Sequence, residues 1–169
     1  MSTLKILKYP QKGLREIAPI VTQFDDALRQ TVKEMFEKMY ADQGCGLAAT
    51  QLGLSLRLFV MDTSPQQNQP ICIINPEIIS KEGESISEEG CLSFPGVYAR
   101  VMRATKVTVN YQDEFGQPQT MTADGLTSHC IQHESEHLDG VLFIDHFSKL
   151  KRMMMLKKLE KVQKAAAAE

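Results

Sequence analysis

The chain has 169 residues, of which 43% are hydrophobic and 24% charged, and its formal net charge at pH 7 is −2. This composition is typical of one globular domain and excludes a collagen-like rod, a coiled-coil rod and a disordered chain. No apolar run approaches the ~20 residues of a membrane-spanning helix, and the slightly acidic balance argues against a general nucleic-acid binder. The start of the chain also lacks the apolar core of a secretory signal. We therefore expect a single domain over residues 1–169 in the cytoplasm, with neither a membrane nor free DNA as a partner.

The first half of the chain predicts one amphipathic helix followed by a β-rich region. Apolar residues recur at spacings of three and four over residues 24–40, and Asp25 and Asp26 suit the positive end of a helix dipole. Between about Leu56 and Ala123, short β-rich runs are separated by turn signals. These runs are Leu58–Met61, Ile71–Ile74, Val107–Tyr111 and Gln119–Ala123.

Two further helices are predicted after the β-rich region. One runs from residue 124 or 125 to Leu138 and ends before Gly140, and the other begins near Ser148 as its N-cap. Residues 148–169 contain seven Lys or Arg and two acids, a local balance of +5, which leaves −7 for residues 1–147. An anionic partner and a solvated helix face explain this asymmetry equally well.

The four cysteines, Cys45, Cys72, Cys91 and Cys130, include no CxxC pair, which excludes a zinc ribbon and a thioredoxin-type motif. In a reducing compartment, cysteines serve as packing residues, nucleophiles or metal ligands. We expect three of the four to be packing residues and one to be functional.

The most specific motif is QHESEHLDG, from Gln132 to Gly140. His133 and His137 are four residues apart on the predicted helix, so both side chains lie on one face and can bind one metal ion. Glu134 can approach a water activated by that metal and act as its general base. The alternatives are histidines on a protein surface and a His129–His133 pair, although no glutamate directly follows His129.

A catalytic metal site needs a third protein ligand. His146 lies nine residues beyond His137, but the segment EEGCLSFPG, Glu88–Gly96, offers Cys91 in what the glycines and proline predict to be exposed, tightly bent backbone. A lone cysteine is usually a core residue, yet a thiolate here would complete a Cys/His/His set with an open fourth position. A third segment, GCGLAATQ, has glycines that permit close backbone approach to a ligand and an amide donor at Gln51.

In order and spacing, GCGLAATQLG, EGCLS and HESEHLDG resemble the three motifs of the peptide deformylase family, and the resemblance extends from Ile6 to the last helix. We therefore expect an α+β fold in which antiparallel or mixed sheets pack around a central helix bearing HExxH, with an N-terminal and a C-terminal helix. The resemblance implies a metal-dependent hydrolase that removes the N-formyl group from the initiator formyl-methionine of nascent polypeptides and releases formate. It also implies one divalent metal ion, Fe(II) in the cell, for which Ni, Co or Zn can substitute.

Residue roles follow from the resemblance by motif position. Cys91, His133 and His137 would bind the metal, metal-bound water would attack the formyl carbon, and Glu134 would be the general acid/base. Gln51 and the backbone N–H of Leu92 would stabilise the oxyanion. Gly46 would pair with the extended peptide, and Glu89 would form a supporting ion pair with Arg103. The full set of implied substrate contacts is Gly44, Cys45, Gly46, Glu89, Gly90, Leu126, His129 and Cys130.

Several positions depart from the family pattern. Glu136 stands where aspartate is common, and His129 and Ser87 stand where apolar residues usually line the methionine pocket. We expect His129 to make activity or side-chain preference depend on pH between about pH 5 and 8. The basic C-terminal helix is expected to pack on the catalytic core, residues 1–147, through Met155, Leu159 and Val162, and to offer its lysines to the ribosome.

Two other functions use the same motifs. A small zinc peptidase, or a related hydrolase with another substrate, would share the HExxH motif, but no second ligand helix follows it and EGCLS is then unexplained. A ribosome- or RNA-binding module with a structural metal would need neither Glu134 nor Gln51.

Overall fold

The computed structural model describes residues 4–168 and has an α+β architecture. Across residues 4–168, no helix is both long enough and apolar enough to cross a membrane. The three helices are α1 (Asp26–Ala41), α2 (Gly125–Leu138) and α3 (Lys149–Ala167). The strands are β1 (Gly46–Ala48), β2 (Leu58–Met61), β3 (Ile71–Glu82), β4 (Ser85–Cys91), β5 (Phe94–Arg103), β6 (Lys106–Gln112) and β7 (Pro118–Asp124).

Helix α1 forms where the spacing of apolar residues predicts it. The Asp25 side chain accepts a hydrogen bond from the Leu28 N–H at 2.9 Å, so the helix begins directly after this cap, two residues later than predicted. Leu28, Val32, Met35 and Met39 are buried on one face and join the core cluster that includes β2.

All strand pairings are antiparallel. Five strands form one sheet in the order β1-β2-β3-β6-β7, and β4 and β5 form a separate hairpin. The four predicted strands are present, but β3 continues beyond Ile74 through a register shift at Asn75, whose backbone has φ 53°. The Asn75 side chain bonds Val21 and Gln112, which holds this bulge within the strand.

The prediction of tightly bent, exposed backbone over Glu88–Gly96 is wrong for most of the segment. Only the turn between Cys91 and Phe94 is tight, and the flanking residues belong to β4 and β5. In β4 the alternate positions Ser87 and Glu89 are buried. The side chains of β4 therefore alternate between buried and exposed, as in an ordinary strand. Because the buried ones are polar, the strand cannot be recognised from alternating hydrophobic residues.

Helix α2 is the central helix of the fold. Its apolar residues Cys130, Ile131 and Leu138 pack against the five-stranded sheet. Several of its polar residues are also buried. The Gln132 amide bonds both backbone groups of Ala104, which directly follows β5, whereas Ser135 Oγ has no partner among the described residues. This burial supplies a rigid, largely water-excluded helix for the motif that the sequence singles out.

Helix α3 begins at Ser148, whose hydroxyl accepts a hydrogen bond from the Lys151 N–H at 3.2 Å. Met155 and Leu159 are buried in a cluster with β5, and Val162 lies against Gly96. The predicted packing of this helix on the rest of the chain is therefore confirmed. The same helix exposes Lys157, Lys158, Lys161 and Lys164.

Candidate active site

A cleft of about 820 Å³ lies between the β1 edge of the large sheet and the β4–β5 hairpin, with α2 along one side. It brings together every residue that the sequence assigned to the site except His137, which is fully buried just behind the lining. The lining also includes residues that no sequence motif indicated, among them Lys8 and the exposed Tyr98. The sequence-assigned lining residues are Gly44, Cys45, Gly46, Gln51, Glu89, Gly90, Cys91, Leu92, Leu126, His129, Cys130, His133 and Glu134.

Three potential metal ligands converge beside this cleft. The ligand atoms of Cys91, His133 and His137 all lie within 4.8 Å of one another, and Cys91 Sγ is 3.4 Å from His137 Nε2. One thiol and two imidazoles form a donor set that suits a divalent transition metal and leaves a position open. Burial lowers the pKa of His137 well below its ordinary value, so this ring is neutral and its lone pair is available.

The other histidines have other partners. His146 Nε2 is 2.8 Å from a Glu136 carboxylate oxygen, and His129 Nε2 is 2.8 Å from the Ser85 hydroxyl. Neither belongs to the cluster of potential metal ligands. The structure therefore supports neither alternative that the sequence left open. These alternatives were His146 as the third metal ligand and a His129–His133 pair.

A buried ion pair orients His133. Arg103 donates two hydrogen bonds to the Glu89 carboxylate, at 2.7 and 2.8 Å, and a third to Glu136 at 2.6 Å. Burial alone would raise the pKa of Glu89, but its hydrogen bonds with Arg103 and His133 hold that pKa well below its ordinary value. The resulting carboxylate accepts a hydrogen bond from His133 Nδ1 at 2.7 Å, which leaves Nε2 free to face a metal.

Glu134 is a buried carboxyl group at the cleft, 5% exposed. Its Oε1 has no hydrogen-bond partner in the part of the chain that the structure describes. Burial raises the pKa of Glu134 to about 7, so the carboxyl can both accept and release a proton near neutral pH. It needs the glycine at position 46, because a Cβ there would lie 2.7 Å from Glu134 Oε2.

Gln51 is fixed with its donor end toward Cys91. A short 3₁₀ helix, Ala49–Leu52, carries it out of β1, and its Oε1 accepts a hydrogen bond from the Ala48 N–H at 2.9 Å. Its Nε2 lies 3.5 Å from Cys91 Sγ and 3.1 Å from the Ser93 hydroxyl. Ser93 is a buried partner that the sequence did not single out.

The expectation that three cysteines are packing residues is wrong for Cys45. Cys72 and Cys130 are buried as expected, but Cys45 is exposed at the cleft. A hydrogen bond from the Cys130 thiol lowers the pKa of Cys45 to about 7. The sequence could not signal this contact, because the two residues are 85 positions apart.

The side of the cleft around His129 is more polar than the family pattern predicts, because that pattern has apolar residues at positions 87 and 129. Ser87 is buried there, and His129 is held by Ser85. Burial lowers the pKa of His129 below its ordinary value, so the ring is neutral at pH 7. Leu126 lies at the rim with most of its side chain exposed.

Comparison with known proteins identifies the family to which this chain is similar. Residues 3–153 match the family model described as polypeptide deformylase. The peptide deformylase of Pseudoalteromonas translucida is 49% identical over 166 residues, which cover 98% of this chain and 99% of that one. The crystal structure of a peptide deformylase from Legionella pneumophila superposes with a TM-score of 0.96 at 48% identity, covering 99% of each chain. A peptide deformylase from Synechococcus elongatus, solved in complex with actinonin, superposes at 0.88 with 42% identity, covering 95% of this chain and 88% of that one.

Proposed function

The chain belongs to the polypeptide deformylase family, and from this premise we propose that the cleft beside α2 is its active site. The protein is a metal-dependent hydrolase that removes the N-formyl group from nascent polypeptides. The observation that carries the assignment of the site is the convergence of Cys91, His133 and His137 beside the unpaired carboxyl of Glu134.

We propose that Cys91, His133 and His137 hold one divalent metal ion, with Fe(II) as the ion in the cell. The donor set supports this: a thiol and two imidazoles, one of them oriented by a buried carboxylate, are borderline-soft ligands. When bound, the metal supplies Lewis acidity and activates water for attack on the formyl carbon. The residues around it then have to bind the substrate, move protons and stabilise the developing negative charge.

Glu134 is the proton carrier in this proposal. Its carboxylate takes the proton from the attacking water and then gives it to the nitrogen of the peptide that leaves. A carboxyl whose pKa is about 7 can do both at neutral pH, and Oε1 is free of competing hydrogen bonds from the described residues.

The formyl oxygen becomes negatively charged as the tetrahedral species forms, and two donors are proposed to stabilise it. Gln51 Nε2 is held near Cys91 by its hydrogen bonds, and the backbone N–H of Leu92 directly follows Cys91. Preorganised donors of this kind contribute about 3–4 kcal/mol each to the transition state.

The peptide chain is proposed to bind as an added strand. In the described chain, β1 pairs only with β2 and β4 pairs only with β5, so each has one edge without a strand partner. Both strands line the cleft, through Gly46 and Gly90. An extended formyl-peptide can hydrogen-bond to such an edge, with its first side chain in the pocket formed by Cys45, Leu126, His129 and Cys130.

We also propose that the chain is a single domain and that it is located in the cytoplasm, where its nascent substrates are made. We further propose that its basic helix α3 binds the ribosome. Lys157, Lys158, Lys161 and Lys164 are all exposed. Reversing these four charges to glutamate should weaken co-sedimentation with ribosomes and reduce its salt dependence. Reversing Lys12, Lys33, Lys81 and Lys106, which are also exposed, is the matched control; an equal loss in both variants would reject a site on α3.

The assay for the function is formate release from a formyl-Met tripeptide by protein reconstituted anaerobically with Fe(II) or Ni(II). We expect one metal per chain, formate from the formylated peptide, and no cleavage of the unformylated peptide. His137→Ala should lose both metal and formate release. Bound metal without formate would contradict the assigned substrate, and cleavage of the unformylated peptide would indicate a peptidase.

A further inference from the structure

Two cysteines of the proposed substrate pocket, neither of which takes part in the proton transfer, meet in the wall of the cleft. Cys45, just before β1, is exposed, whereas Cys130, on α2, is 6% exposed. The Cys130 thiol donates to the Cys45 backbone carbonyl, with Sγ 3.7 Å from the oxygen, so the Cys130 sulfur lies directly beside Cys45. We propose that Cys45 and Cys130 are a redox-sensitive thiol pair, which peroxides convert to a disulfide and low-molecular-weight thiols restore.

The backbones on both sides of the pair are fixed. The Cys45 carbonyl also accepts a hydrogen bond from the Asp62 N–H at 2.9 Å, and β1 pairs with β2 from Gly46 onward. Cys130 lies within a buried turn of α2. Because the Cys130 sulfur already lies against the backbone of Cys45, rotation of the Cys45 side chain is the movement that brings the two sulfur atoms together.

Gly46 leaves the space that these sulfurs need. A Cβ at position 46 would lie 2.8 Å from Cys130 Sγ, so the thiol rests directly against the backbone of the residue that follows Cys45. The other two cysteines lack this arrangement. Cys72 is buried in the core with α1, and Cys91 is grouped with the two candidate histidine ligands.

The chemistry assigns different roles to the two thiols. Cys45 is open to solvent, and the adjacent Cys130 thiol lowers its pKa to about 7, so Cys45 is the group that a peroxide meets first. Its sulfur attacks hydrogen peroxide, the O–O bond breaks, and the products are Cys45 sulfenic acid and water. The Cys130 sulfur then attacks the Cys45 sulfur and its proton leaves with the hydroxyl as a second water. Two thiols are oxidised, and one peroxide is reduced to two waters.

The disulfide would change the cleft near Glu134, because the Cys130 sulfur and the Glu134 carboxyl both lie against Gly46. A Cβ at that position would be within 3 Å of each. Oxidation locks Cys45 to α2 at the place where the first side chain of the peptide is proposed to bind. We expect the KM for a formyl-peptide to rise on oxidation and to return when dithiothreitol is added. This consequence rests on the proposed function, whereas formation of the disulfide does not.

The test treats the Ni(II)-loaded protein with hydrogen peroxide, since nickel avoids iron oxidation and occupies the site that includes Cys91. The protein is then unfolded in the presence of a chelator that removes the nickel, its free thiols are alkylated, and it is digested with trypsin. Before alkylation we expect a decrease of about 2 Da in the mass of the intact protein, for the two hydrogens lost. After alkylation we expect two of the four thiols to be unlabelled and two cysteine peptides to be cross-linked. The tryptic peptides 39–57, 58–81, 82–100 and 107–149 each contain one cysteine, so 39–57 joined to 107–149 identifies the pair.

Three variants make the test specific. Cys45→Ala and Cys130→Ala should each abolish the cross-link and the reversible change in KM, whereas Cys72→Ala should retain both. Sulfinic or sulfonic acid on Cys45 without a cross-link would overturn the proposal, as would a disulfide that includes Cys91. The mass measurement does not depend on turnover, so a protein that releases no formate could still confirm or refute the pair.

Discussion

Glu89→Gln tests the buried ion pair that supports the site, because it keeps the shape of the side chain and removes its charge. Both partners are buried, with side-chain exposures of 3% for Arg103 and 6% for Glu89. The substitution leaves Arg103 with a neutral partner and only Glu136 to balance its charge. Breaking a buried pair of this kind costs about 3–5 kcal/mol. A protein of this size loses about 2–4 °C in Tm for each kcal/mol, so Tm should fall by about 6–20 °C.

Glu88→Gln is the matched control, one residue away on the same strand. Its ion pair with Arg100 spans 3.2 Å, but both side chains are about three-quarters exposed. Exposed pairs contribute about 0–1 kcal/mol, so Tm should fall by at most about 4 °C. Calorimetry on both metal-loaded variants makes the comparison, and equal Tm values for the two would refute the reasoning about the buried pair.

The pH dependence of the same comparison has a defined sign. The folded-state pKa of Glu89 is held well below the ordinary value of 4.5, so its ionisation stabilises the folded state above that value. The difference in unfolding free energy between wild type and Glu89→Gln should therefore be constant from pH 7 to pH 5. It should shrink as pH falls below about 4.5, and a difference that grows in acid would contradict the assigned ionisation.

Three further predictions address the cleft and its supports. Gly46→Ala inserts a Cβ 2.7 Å from Glu134 Oε2 and should lower kcat by about 10²-fold. Gly13→Ala is the control, because its Cβ would meet only the end of Leu7, and it should leave kcat unchanged. Similar kcat values for the two variants would contradict the close contact between Gly46 and Glu134. Leu159→Ala, at a 2% exposed position, should cost about 2–5 kcal/mol in urea unfolding, and Met154→Ala, at 61% exposure, close to none. Burial lowers the pKa of His129, so the ring takes up a proton and places a charge in the pocket only below the ordinary imidazole range. In that acid range kcat/KM should fall more steeply for wild type than for His129→Gln, and parallel profiles would remove this role.

The sequence predicts the helices of this fold well and the hairpin poorly, for a physical reason. Helix α1 buries an apolar face, so the spacing of Leu28, Val32 and Met35 is visible in the sequence. Strand β4 buries Ser87 and Glu89, and the Glu89 carboxylate finds its partners in Arg103 at the end of β5 and in His133 on α2. A buried carboxylate has no signature until the arginine that compensates it is located.

The candidate site shows the same division. HExxH spacing places two histidines and a glutamate on one helix, and the glycines around Cys91 draw attention to that residue. The orientation of His133 by Glu89, the anchoring of Gln51 by Ser93 and the contact of Cys45 with Cys130 all join distant segments. These contacts depend on how the hairpin, β1 and α2 pack, which local patterns do not encode.

Glu134→Gln removes the group that is proposed to move the proton in a metal-dependent deformylation. The measurement is formate release from a formyl-Met tripeptide by wild type and variant, each analysed for bound metal. We expect one metal per chain in both proteins and a fall in kcat of about 10²–10⁴-fold in the variant. A variant that retains its metal and releases formate at the wild-type rate would show that Glu134 does not carry the proton.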